Sequence, residues 1–84
     1  MIRNELQKIL NIISDKTESN PSSGIMDSAV IGESGLPESE ARKYINELAG
    51  LELITVGIKF SGADFRMLSI TNKGIEELQN QEDR

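Results

Sequence analysis

Four residues in one short stretch, Ser39, Arg42, Lys43 and Asn46, carry the hydrogen-bond donors that reach phosphates and base edges. At about 100° per residue they fall on the side of a helix opposite Ala41, Ile45 and Leu48. Tyr44 sits at the edge of the apolar side, and Glu47 lies within the polar patch. A helix with such a face can lie in a major groove. The same residues also make an ordinary solvated surface, since any exposed helix carries Lys and Arg, and Glu47 would repel phosphate. Both readings stand on the sequence alone.

Other chemistry finds little support. No GxSxG, P-loop or GxGxxG pattern occurs, and the glycines are scattered as turn residues. Glu38 with Glu40, and Glu76 with Glu77, are not spaced to share one helical face, so they read as helix-end and surface charge. The chain has no Cys and no His. That removes disulfides, thiol nucleophiles, most zinc sites and the usual general base. The expectation is a non-catalytic protein without a cofactor or a metal.

Eighty-four residues make one small domain, 1–84, and Tyr44, Phe60 and Phe65 are its aromatics. Nine Lys and Arg stand against fourteen Asp and Glu, a balance that counts against a nucleic-acid partner. Distribution matters more than the sum, and Glu76, Glu77, Glu82 and Asp83 crowd the C-terminal end. No apolar run nears the roughly 20 residues that span a bilayer, and no signal-peptide pattern opens the chain. A cytoplasmic protein is expected.

The elements that must position the donor face follow from spacing. Ile2, Leu6, Ile9, Leu10 and Ile13 mark an amphipathic first helix. Asp15 to Gly24 is loop chemistry throughout. Ser22 or Ser23 is placed to cap a short helix through Ile25, Met26, Ala29, Val30 and Ile31, with Asp27 in its first turn. Gly35 provides its exit. The third helix starts near Pro37 and closes at Gly50. Leu53 to Phe60 and Phe65 to Thr71 read as a hairpin about the turn Ser61-Gly62-Ala63-Asp64, with Gly57 a candidate bulge. Thr71 caps a last helix through Ile75 and Leu78, and residues 79–84 are expected to fray.

The run from Ser34-Gly35-Leu36-Pro37 through Leu53-Ile54, followed by Leu68-Ser69-Ile70-Thr71-Asn72-Lys73-Gly74, resembles the winged helix-turn-helix domain. The likeness covers nearly the whole chain after the first helix, on patterns of apolar spacing and turn residues shared by many short prokaryotic and phage regulators. It implies an α+β fold: a three-helix core, a two-stranded β-hairpin wing and a C-terminal helix. Residues 34–50 become the turn and recognition helix, and 53–71 the wing. The implied function is binding of double-stranded DNA in transcription regulation, with Arg42, Lys43 and Asn46 facing the groove and Lys59 and Arg66 on the wing.

Two features depart from the family pattern. The wing tip holds no base and one acid, Asp64, and the second helix carries no basic residue. The alternative reading is therefore a winged helix used as a protein–protein interaction module, with an acidic surface and a contact through Phe60 and Phe65. These two rings can equally pack on each other across the strands. The first helix offers a similar choice. In winged helix regulators terminal helices commonly form the dimer contact, so its apolar side chains point either to a homodimer or to the domain's own core.

Overall fold

The computed structural model describes residues 3–57 and 66–82. The elements run α1 (Asn4–Thr17), β1 (Ile25–Met26), α2 (Asp27–Ser34), α3 (Glu38–Gly50), β2 (Ile54–Val56), β3 (Met67–Ile70) and α4 (Asn72–Glu82). The three strands form one antiparallel sheet in the order β1-β3-β2.

The apolar stripe of α1 explains why the helices gather around it. Leu6, Ile9, Leu10 and Ile13 are 0–3% exposed and join Val30, Ile45, Leu48, Leu53, Ile54, Leu68, Ile70 and Leu78 in a single core. Fully burying a side chain of this size contributes about 1.5–3 kcal/mol, so these residues dominate the stability of a domain this small. The apolar width of α1 is thus used inside the protomer. Of its further isoleucines, Ile12 is half-buried against the core, and Ile2 lies outside the described residues.

Three boundaries differ from the sequence expectation. α1 continues to Thr17, whose hydroxyl donates to the Ile13 carbonyl, so the loop starts later than Asp15. Ile25 and Met26 are not the start of a helix but a strand, paired with Leu68 and Met67. The residue preceding α2 is consequently Met26, not Ser22 or Ser23, and no side chain caps this helix. The wing is one hairpin of a three-stranded sheet rather than a free two-stranded ribbon. α4, finally, runs on through Glu82, past the point where fraying was expected.

The remaining junctions follow local chemistry. Gly35 takes φ +70°, the left-handed exit from α2, and the Ser34 hydroxyl accepts from the Leu36 N–H at 3.2 Å. Pro37 sits just before α3, one position earlier than the first helical residue. In the hairpin, Ile54, Thr55 and Val56 face Ile70, Ser69 and Leu68. The same register holds at both ends of the described pairing, through Thr71 N–H to Leu53 C=O and Gly57 N–H to Met67 C=O, and a bulge beyond Gly57 would fall outside the described residues. Thr71 caps α4 by accepting from the Gly74 N–H at 3.0 Å, as the sequence indicated. The turn 61–64, with Lys59, Phe60 and Phe65, lies outside the described residues.

Two glycines test this packing with opposite signs. A Cβ on the buried Gly74 would run into the Leu53 carbonyl oxygen, which is itself fixed by the hairpin ladder. Gly74→Ala should therefore lower the urea-unfolding free energy by about 1–3 kcal/mol. Gly32, exposed within α2, has open space around a Cβ. Gly32→Ala should raise stability by about 0.5–1 kcal/mol in the same measurement.

Candidate functional site

The outward face of α3 is where the residue count placed it. Ser39, Lys43 and Asn46 are exposed on one side of the helix, while Ala41, Ile45 and Leu48 are buried on the other. Across a cleft of about 700 Å³ stands Arg66, exposed at the entry to β3. Arg42 and Asn46 line the cleft on the helix side, and Ile45, Val56 and Leu68 contribute apolar lining. Three of the six residues expected at a nucleic-acid face, Arg42, Asn46 and Arg66, thus share one cleft. Ser39 and Lys43 extend the row along the helix outside it. Lys59 lies outside the described residues, as do Phe60 and Phe65, on which the protein-contact reading rests.

Arg42 is not free in the way its position on the helix suggested. Its Nη1 donates to Asp27 Oδ2 at 2.9 Å, and its Nε donates to Glu38 Oε2 at 3.1 Å. These two bonds, that to Glu38 first, hold the guanidinium pKa above its ordinary value. The two carboxylates differ greatly. The Glu38 side chain is 71% exposed and makes an i,i+4 surface pair, whereas that of Asp27 is 4% exposed. Surface pairs contribute little, but a buried carboxylate requires its partner.

Asp27 also anchors the wing strand. Its backbone N–H donates to the Arg66 carbonyl at 2.9 Å, which continues the β1–β3 register by one residue. The Arg66 N–H donates in turn to Asp27 Oδ1 at 3.2 Å. The side-chain oxygen stands in for a backbone carbonyl that has already turned into α2. No sequence pattern singled out Asp27 for this role. The available signal was an acid inside the apolar run Ile25 to Ile31, where an unpaired charge would be costly.

Glu47, expected to repel phosphate, is paired with Arg3 from the start of α1. The Arg3 guanidinium also lies 5.9 Å from the Tyr44 ring centroid, and its pKa is raised, chiefly by the Glu47 hydrogen bond. Asp27, Glu38 and Glu47 each therefore face an arginine. Lys43 and the Arg66 side chain have no ion-pair partner among the described residues, and neither does Glu40, about 100° round the helix from Ser39. No group of three or more acidic side chains among the described residues could hold a metal ion, and no helix among them is long and apolar enough to cross a membrane.

This arrangement gives Arg42 and Arg3 different structural weight. Arg42→Ala leaves Asp27 buried without a counter-charge and should lower the urea-unfolding free energy by about 1–3 kcal/mol. Arg3→Ala removes only exposed contacts and should leave the unfolding midpoint nearly unchanged.

No protein-family model matches the chain, and no curated protein matches it. Solved structures do resemble it. A protein from Archaeoglobus fulgidus superposes with a TM-score of 0.78 at 12% identity, covering 99% of this chain and 86% of its own. A candidate DNA-binding protein from Ralstonia eutropha JMP134 gives 0.77 at 17% identity, over 96% and 98%. The zinc-responsive MarR family member ZitR of Lactococcus lactis gives 0.75 at 14% identity, over 99% of this chain but 53% of that one. Likeness at these identities carries the fold alone: this chain has an α+β winged-helix fold.

Proposed function

We propose that this protein binds double-stranded DNA as a non-catalytic transcription regulator, laying α3 in the major groove with the β2–β3 wing beside it. The observation that carries this reading is the pairing of three of the acids bordering the face, Glu40 being the exception. With Asp27, Glu38 and Glu47 each held against an arginine, Ser39, Lys43 and Asn46 can approach the duplex despite the chain's net charge of −5. A Ralstonia neighbour named for DNA binding and a MarR family neighbour support the same reading at the level of fold.

The roles divide by chemistry. Lys43, Arg66 and Lys59 supply point charges for backbone phosphates, while Asn46 and the unused N–H groups of Arg42 have the geometry for base edges. Ser39 donates to phosphate or base. Three phosphate contacts correspond to a log–log salt slope of only about −2.7, so binding is weak and shallow in its salt dependence beside that of strongly basic repressors. α1 offers little free apolar surface to a second copy, its buried residues being spent in the core.

Fluorescence anisotropy with a duplex of about 20 base pairs, between about 50 and 200 mM salt, tests the proposal. Lys43→Ala should weaken binding to all sequences alike and reduce the slope by about 0.9. Asn46→Ala should leave the slope unchanged and reduce discrimination between sequences by about 1–3 kcal/mol. Glu47→Gln, which releases Arg3, should strengthen binding. Absence of any anisotropy change at the lowest salt would overturn the proposal.

A further inference from the structure

Asp27 touches no partner in the proposed complex, yet its carboxylate joins three elements. It begins α2, it holds the guanidinium of Arg42 on α3 at 2.9 Å, and it accepts from the Arg66 N–H of the β3 entry at 3.2 Å. We infer that Asp27 is the positioning residue of the recognition face, fixing Arg42 and the base of the wing to one carboxylate so that helix and wing meet DNA in a set orientation. The consequence for sequence reading rests on the DNA-binding proposal; the clamp itself does not.

Donor arithmetic shows how Arg42 can both be held and read a base. A guanidinium has five N–H donors, and Asp27 and Glu38 occupy one each, leaving three. Freedom that a long side chain would lose on docking is already lost on folding, and the planar fork keeps its remaining donors aimed. Exchange of Arg42 onto a phosphate is disfavoured, because the departing guanidinium would strand a carboxylate that is 4% exposed. Arg42 therefore contributes to discrimination more than to general affinity. Glu38, 71% exposed and one turn away, can be lost without releasing the clamp.

Asp27→Asn and Glu38→Gln separate positioning from simple electrostatics. Each removes one negative charge beside the duplex, so a purely electrostatic role predicts tighter binding in both. Positioning predicts that only Glu38→Gln gains. The probes are the duplex most enriched by the wild-type protein from a randomised pool and the unselected pool itself. Asp27→Asn should weaken binding to the enriched duplex by about tenfold, the scale of one charge-assisted hydrogen bond, without weakening binding to the pool. A DNA-independent readout is the 15N-detected rotation of the Arg42 guanidinium, which should be slow in the wild type and in Glu38→Gln and fast in Asp27→Asn. Fast rotation in the wild type overturns the clamp, even if the variant fails to fold. So does an Asp27→Asn protein with undiminished discrimination. A slow Arg42 in a protein that enriches no duplex would instead retain the clamp and reject the DNA-binding proposal.

Discussion

A carboxylate taken out of water must be compensated, and in this protein the compensation of Asp27 sets the geometry of the outward face. The side chain sits where β1 ends and α2 begins, directly against β3. Its two oxygens accept from different elements, Arg42 on α3 and the Arg66 backbone at the wing entry. Neither element can rotate away without leaving a buried acceptor unsatisfied, a penalty of about 1–3 kcal/mol for a neutral group and more for a charge. The relation between α3 and β3 is thus held by polar bonds on one side of the sheet and by Ile45, Leu68 and Ile70 in the core on the other.

Economy of apolar material constrains everything else. Among the described residues no aromatic side chain is fully buried, and the core cluster is built from Leu, Ile and Val drawn from all four helices, from β2 and β3 and from Leu53 before β2. The dense stripe of α1 supplies the centre of that core. Apart from the exposed Met26 and Leu51, what these residues leave outside is largely polar, and among the described residues Glu38 and Glu47 of α3 are paired with arginines while Glu40 is not. Arg3, Arg42 and Lys16 are spent on Glu47, Asp27 with Glu38, and Glu33.

Much of the fold was legible in the sequence because the signals were local. Gly35, Pro37, Gly50 and the spacing of Ala41, Ile45 and Leu48 define α3, and Thr71 marks the start of α4 through its own hydrogen bond. β1 was not legible. Two residues make no period, the run Ile25 to Ile31 suits a helix equally well, and the strand exists only because Leu68 and Met67 come to pair with it. The candidate site divides in the same way. Helical counting put Ser39, Lys43 and Asn46 outward, as found, and the i,i+4 relation of Glu38 to Arg42 was readable. The partners Asp27 for Arg42 and Arg3 for Glu47 come from other helices, and only tertiary packing reveals that a nominal recognition arginine is also a structural one.

Backbone 15N–1H spectra recorded during titration with a mixed-sequence duplex, at low and at moderate salt, test the central claim most directly. The account predicts shifts at Ser39, Lys43, Asn46 and Arg66 that diminish as salt rises, with α1 and the body of α4 unmoved. A spectrum unchanged at low salt, or shifts confined to α1 and α4, would contradict it.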